Sequence, residues 1–309
     1  MLAGRDTLSI KKSVYLAEWA YYEGNMDYKT DFCDEINRIA NYVRLFYDFN
    51  KLSSYKTGKQ MALNEYFFNP YSGNGYKPYT YDFTPDSTDD QSWELQFVSR
   101  TLKTHKGQCR SLPWMYKILA KEIGADVSLV HAPRHCYITY EDTDNLTPEE
   151  WINLEVTTHQ MVPKWWIKQY YEICDSAVVA GTYMTPLTDT ETVACQMADL
   201  AFGYYRKFNR YDKFTYYCSS RSLEYYPKNP NAWIIRGKSL ERIFQKHLQK
   251  TGNIIDDYAA YLLYLIDETQ WRFDHTYMTE GPDEIQERRK HQSKEVEVQE
   301  HTQVNMSPK

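Results

Sequence analysis

Three residues of the types used in thiol chemistry follow one another along this chain. Cys109 lies in the segment Lys106-Gly-Gln-Cys-Arg-Ser-Leu112, His135 ends Ala132-Pro-Arg-His135, and Glu155 ends Trp151-Ile-Asn-Leu-Glu155. A cysteine whose proton passes to a histidine becomes a nucleophile, and a carboxylate can fix the orientation of that imidazole. We therefore predict a triad in which Cys109 attacks, His135 is general base and then general acid, and Glu155 orients His135.

The sequence after Cys109 predicts the element that positions it. Apolar residues recur at spacings of three and four through 112–123, which indicates a helix with Cys109 in its first turn. Unpaired N–H groups and the helix dipole favour a thiolate there, and Gly107 would allow a sharp turn into the helix. We expect Gln108 to contribute to an oxyanion hole and Trp114 to line the cleft.

The segments that follow predict strands. Residues 126–132 are rich in valine and leucine, residues 135–140 are β-prone and alternate, and Pro133 interrupts the two runs. His135 would then open the second strand, and Trp151–Glu155 would form a third. The expected fold class is α+β, with the nucleophile helix packed on a small antiparallel sheet.

These motifs resemble those of a known family. The segments that carry the resemblance are Ala62–Phe68, Tyr71–Gly75, Lys106–Leu112, Ile123–Gly124 and Ala132–His135. They are similar to the bacterial SirB-type transglutaminase-like domain, which has a papain-like cysteine fold and is often followed by tetratricopeptide repeats. The resemblance implies catalytic roles for Cys109 and His135, and it puts Glu155 where the active core usually has aspartate. Many members of this branch lack the cysteine, whereas this chain keeps it.

Periodicity and composition divide the chain into four predicted segments. These are an N-terminal helical preface (1–60), a transglutaminase-like core (61–185), a tetratricopeptide-like helical region (190–278) and a disordered, charged tail (279–309). Gly203 and Gly237 follow the 34-residue period of such repeats, and Trp233 precedes the second glycine by four residues. We expect this region to dock on the core as a helical appendage.

Charge and hydropathy indicate which partners to expect. A net charge of −6 over 309 residues provides no basic field for nucleic acid. The sequence lacks a run of about 18 apolar residues that could span a membrane, and its start does not resemble a signal peptide. The spacing of its six cysteines favours free thiols. A cytoplasmic location is expected, and export after removal of a leader stays open.

A metal site is the main rival for the histidines. His131 and His135 are four residues apart, a spacing that would direct both at one zinc ion on a helix. Pro133 lies between them and the flanking residues favour strands, so we expect neither a metal nor another cofactor.

Two classes of function are consistent with this sequence. One is a cysteine-dependent acyl-transfer enzyme that hydrolyses or transfers an amide of a peptide or protein substrate. The other is a non-catalytic transglutaminase-like scaffold that binds protein partners through its helical repeats. The complete set of Cys109, His135 and Glu155 favours the enzyme.

Overall fold

A computed structural model describes residues 1–83 and 93–278 of the chain. The helices are α1 (Ile10–Tyr21), α2 (Asp34–Phe49), α3 (Gly58–Phe68), α4 (Val98–Thr104), α5 (Ser111–Ile123), α6 (Lys164–Tyr170), α7 (Asp175–Ala180), α8 (Asp189–Phe208), α9 (Lys213–Tyr225), α10 (Pro230–Thr251) and α11 (Asp257–Asp274). The strands are β1 (Thr80–Tyr81), β2 (Lys106–Gly107), β3 (Ser128–Ala132), β4 (His135–Glu141), β5 (Trp151–Glu155) and β6 (Gln160–Met161). The mixture of helix and sheet expected from the sequence is confirmed.

Helix α5 lies at the centre of the main hydrophobic core. Residues 111–120 of this helix are all buried, because α2 and α3 pack against it together with strands β3 and β4. Burial extends to Lys117, whose Nζ donates to the Val127 carbonyl at 2.6 Å and pairs with Asp189 at 3.0 Å. A helix apolar around most of its circumference is stable only when it is covered in this way.

Strands β3, β4, β5 and β6 form an antiparallel sheet in that order. The strands predicted after the helix that follows Cys109 are therefore present. Pro133 and Arg134 form the turn between β3 and β4, and Arg134 adopts a left-handed conformation with φ 54°. Ala132 pairs with His135 across this hairpin, so His135 is the first residue of β4, as the alternation predicted.

A two-stranded parallel sheet holds the segment before Cys109. Tyr81 of β1 is in register with Gly107 of β2, and the Asp82 N–H donates to the Gly107 carbonyl at 2.9 Å. The role expected for Gly107 in a sharp turn is wrong, because Gly107 lies in a strand and has no positive φ. A Cβ at this position would lie 2.7 Å from Ser111 Oγ, so close packing requires glycine.

The C-terminal region is helical, with α8, α9, α10 and α11 packed successively against one another. Helix α1 packs on α8, whereas α2 and α3 pack on α5. The predicted preface is thus shared between two parts of the molecule, and its boundary at residue 60 falls inside α3. The predicted disordered tail, 279–309, lies outside the described residues. No helix within residues 1–83 and 93–278 is long and apolar enough to cross a membrane.

Candidate active site

The turn of residues 108–112, called the nucleophile turn because it carries the predicted nucleophile Cys109, owes its geometry to a proline. Helical hydrogen bonding starts where Leu112 N–H donates to the Gln108 carbonyl at 3.1 Å, although the regular helix begins at Ser111. Pro113 has no N–H, so it leaves the Cys109 carbonyl without its helical donor. The Cys136 thiol donates to this carbonyl at 3.1 Å instead. Cys109 accordingly lies in the first hydrogen-bonded turn. The hydrogen bond from Cys136 also holds its backbone against β4.

The Cys109 side chain is partly exposed to solvent. Its thiol donates to the Arg134 carbonyl at 3.7 Å, which brings the nucleophile turn against the β3–β4 hairpin. Within the described segments, the Cys109 backbone N–H donates to no protein acceptor. An accessible sulfur next to an uncommitted N–H is the arrangement that acyl transfer requires of a nucleophile and an oxyanion donor.

His135 and Glu155 form a short, enclosed hydrogen bond. His135 Nε2 lies 2.6 Å from Glu155 Oε2, and the side chains are only 9% and 3% exposed, respectively. This bond leaves Nδ1 as the ring nitrogen available to Cys109. The other carboxylate oxygen, Oε1, accepts hydrogen bonds from Thr157 N–H at 3.1 Å and Thr157 Oγ1 at 2.6 Å. Glu155 is therefore held at both oxygens.

The electrostatics of this pair favour a charged imidazole. Burial alone would lower the pKa of His135, but interaction with Cys109 and the bond to Glu155 raise it to about 9. Burial likewise opposes ionisation of Glu155, yet bonds from His135 and Thr157 bring its pKa below the usual range. A protonated imidazole next to an accessible sulfur can stabilise a thiolate and later donate a proton to a leaving group.

Tyr171 is a further contact of His135 and Glu155 that sequence reasoning missed. Its ring stacks on His135 with centroids 4.7 Å apart and an interplanar angle of 18°, and its hydroxyl donates to Glu155 Oε2 at 3.2 Å. Tyr171 thus covers one face of the imidazole while it binds the Glu155 carboxylate. Nothing in the local sequence pattern indicates a role for this tyrosine. Thr157, by contrast, could have been predicted as a neighbour of the Glu155 carboxylate, because it follows Glu155 by two residues.

Gln108 and Trp114, which were predicted for the oxyanion hole and the cleft, both contact other parts of the protein. Gln108 N–H donates to Ser111 Oγ at 2.8 Å, and Gln108 Nε2 donates to the Asp82 carbonyl at 2.7 Å. Gln108 thus anchors the nucleophile turn to the chain after β1. Trp114 is only 2% exposed and lies in the hydrophobic core, so packing rather than cleft lining is its role in this structure.

Arg110 connects the nucleophile turn to the helical region. Its Nη2 pairs with Asp199 of α8 at 2.7 Å, and its Nη1 donates to the Gln96 carbonyl at 2.8 Å. The guanidinium also lies over the Trp114 ring, 5.2 Å from its centroid. The residue next to Cys109 is therefore held by α8.

The two histidines considered for a metal site have different partners. His131 Nε2 lies 4.0 Å from the Cys195 thiol, whereas His135 contacts Glu155. Among residues 1–83 and 93–278, no group of three or more His, Cys, Asp or Glu side chains is arranged to hold a metal ion. Comparison of the chain with family models, curated proteins and solved structures finds no match.

Proposed function

We propose that this chain is a cysteine-dependent acyl-transfer enzyme with a transglutaminase-like, papain-like core. The observation that carries the proposal is the position of His135, whose Nε2 is bound by Glu155 and whose pKa is raised to about 9 by Cys109 and Glu155. The nucleophile at the start of α5, with its base and orienter on consecutive antiparallel strands, supports the fold assignment.

Each step of acyl transfer has a residue suited to it. The Cys109 sulfur attacks the carbonyl carbon of an amide, and the backbone N–H of Cys109 stabilises the oxyanion. His135 gives its proton to the departing amine, and the C–N bond breaks to leave a thioester on Cys109. Water or a second amine, deprotonated by His135, then attacks the thioester and releases Cys109. Hydrolysis and crosslinking differ only in this last nucleophile.

Partner binding through the helical region is a second candidate function. Helix α11 exposes Tyr258, Tyr261, Tyr264 and Trp271, with exposures between 42% and 64%. Large exposed aromatic residues are common at protein interfaces. Trp233, by contrast, is only 7% exposed and donates to the Pro227 carbonyl, so its substitution would test packing rather than binding. A Tyr264→Ala variant is the suitable probe.

The proposed chemistry can be tested with an activated ester. p-Nitrophenyl acetate should acetylate Cys109 and release p-nitrophenol, and intact-mass spectrometry with peptide mapping should find the acetyl group on this residue. Cys109→Ala should abolish the burst of p-nitrophenol with no change in the thermal unfolding midpoint larger than a few degrees. Cys195→Ala is the control, since Cys195 is also next to a histidine but is buried. An equal burst in Cys109→Ala would contradict the proposal.

A further inference from the structure

One row of aromatic rings starts at the nucleophile turn. Tyr81 is in register with Gly107, two residues before Cys109. Burial, together with the neighbouring Cys109 and Asp82, raises the pKa of the Tyr81 hydroxyl. Phe83 contacts Tyr81 with ring centroids 4.9 Å apart and is 84% exposed. This row leads from the nucleophile to open surface.

A second row starts at the imidazole. Tyr171 stacks on His135, and Tyr170 packs edge-on against Tyr171 with centroids 4.9 Å apart. Tyr170 also stacks on Trp166 at 4.5 Å with an interplanar angle of 11°. Tyr170 is 64% exposed. Exposed rings therefore extend from both members of the reacting pair, although burial would be the usual location for residues of this size.

We propose that the substrate of this site is a peptide that places aromatic or other large apolar side chains against these two rows, next to the amide that Cys109 attacks. This inference rests on the proposed function, because an acyl carbon is what a thiolate attacks and a peptide supplies such carbons at every residue. Stacked and edge-on ring contacts favour aromatic ligands by about five-fold in affinity for each good contact.

Two matched pairs of exposed residues allow a controlled test. Phe83→Ala removes a phenylalanine that is 84% exposed, and Phe49→Ala on α2 removes one that is 87% exposed. Tyr170→Ala and Tyr264→Ala remove tyrosines that are both 64% exposed. Within each pair the loss of exposed apolar area is similar, so only the position relative to Cys109 differs.

The probes are chloromethyl ketones of two dipeptides, phenylalanyl-phenylalanine and seryl-serine, together with iodoacetamide. In each ketone the sulfur displaces chloride from the methylene carbon, so one C–S bond forms and one C–Cl bond breaks. The phenylalanine probe should alkylate Cys109 at least about five-fold faster than the serine probe. Phe83→Ala and Tyr170→Ala should each lower that preference several-fold, whereas Phe49→Ala and Tyr264→Ala should preserve it. Each ketone rate is divided by the iodoacetamide rate of the same variant, so that a general change in the reactivity of Cys109 does not count as a change in preference.

The outcomes separate the substrate inference from the proposed function. Rapid labelling of Cys109 by iodoacetamide with equal rates for the two ketones would overturn the peptide preference and leave the triad intact. Failure of iodoacetamide to label Cys109 preferentially would overturn both. Protection of Cys109 by a chitin oligosaccharide, with no protection by a phenylalanine-rich peptide, would show that the rings bind carbohydrate and would also overturn the inference.

Discussion

His131 and His135 lie in the same β-hairpin, each beside a cysteine, but the pKa of one is lowered and that of the other is raised. His135 is bonded to Glu155 and its pKa is raised to about 9. Burial lowers the pKa of His131 to about 4, because Asp199 and Glu191 compensate only in part, and its Nδ1 has no partner in the described part of the chain. Proximity of a cysteine therefore does not by itself raise the pKa of a histidine. His135 differs from His131 in its interaction with Cys109 and in its bond to Glu155.

The two cysteines next to these histidines, Cys195 and Cys109, differ in burial. Burial raises the pKa of Cys195 well above its usual value, so this thiol stays protonated beside a neutral imidazole. Cys109 is partly exposed at the start of a helix. The first pair is a structural contact between β3 and α8, and the second has the components of a thiolate–imidazolium pair.

Substitution of the two histidines should give the largest difference in acylation rate. His135→Gln removes the general base and should lower the rate of p-nitrophenyl acetate acylation by at least about 10³-fold. His131→Gln should change this rate less than about three-fold, because His131 contacts Cys195 and not Cys109. Circular dichroism would check that both variants fold. Equal losses in the two variants would remove the distinction between the pairs.

The same histidines should affect stability at opposite ends of the pH range. The folded pKa of His135 exceeds the unfolded value of about 6.5, so its contribution is complete below about pH 6.5 and is lost as pH rises through about 9. The folded pKa of His131 is below that value, so its contribution is present above about pH 6.5 and is lost as pH falls through about 4. Each amounts to about 3 kcal/mol of unfolding free energy.

Urea unfolding over this pH range would measure both contributions. His135→Gln should flatten the alkaline decline in stability. It should also change the acid limb, because Glu155 then loses the bond from His135 that lowers its pKa. His131→Gln should flatten part of the acid decline and leave the alkaline limb unchanged. A shared pH profile for the wild type and both variants would show that neither histidine changes its proton affinity on folding.

Removal of the charge on Glu155 should have a smaller effect on activity than loss of the imidazole. Glu155→Gln keeps the size of the side chain but no longer stabilises an imidazolium, so the acylation rate should fall about 10²-fold and the alkaline limb of its pH profile should move to lower pH. Thr157→Ser is the matched control, because serine can still donate to Glu155 Oε1 from its N–H and hydroxyl. Full activity in Glu155→Gln would mean that another residue orients His135.

Tyr171→Phe should have the smallest effect. Phenylalanine preserves the stack on His135 but removes the hydroxyl that donates to Glu155 at 3.2 Å. We expect a loss of about ten-fold in acylation rate, because a hydrogen bond to a charged acceptor contributes about 1.5 kcal/mol or more. Tyr170→Phe is the control, since the Tyr170 ring contacts Tyr171 rather than the triad. A loss above about 10²-fold would assign Tyr171 a role in proton transfer.

The sequence could predict the parts of the site that follow from local pattern. Apolar periodicity indicated the helix after Cys109, and alternation indicated the strands that carry His135 and Glu155. The role of Tyr171 could not be predicted, because its stack on His135 depends on the path of the chain through β6 and α6. Trp114 was expected at the cleft, but five helical positions turn a side chain about 140° from Cys109, and that direction faces the core.

Packing between distant segments could not be predicted from the sequence either. The absence of an N–H at Pro113 predicts a vacant carbonyl at Cys109, yet only the register of β4 identifies Cys136 as its donor. Likewise, the spacing of Gly203 agreed with a repeat, whereas the structure gives another reason for glycine there. A Cβ would lie 3.1 Å from Trp93 Nε1, so Gly203 permits close packing of that ring on α8.

Thiol reactivity tests the central claim most directly. The protein would be treated with limiting iodoacetamide near neutral pH, and peptide mapping would give an alkylation rate for each of the six cysteines. Cys109 should react at least about ten-fold faster than Cys33 or Cys174, which are also partly exposed, and His135→Gln should remove this advantage while leaving the other rates unchanged. Uniform slow labelling, or a fast Cys109 reaction that is indifferent to His135, would contradict a Cys109–His135–Glu155 triad.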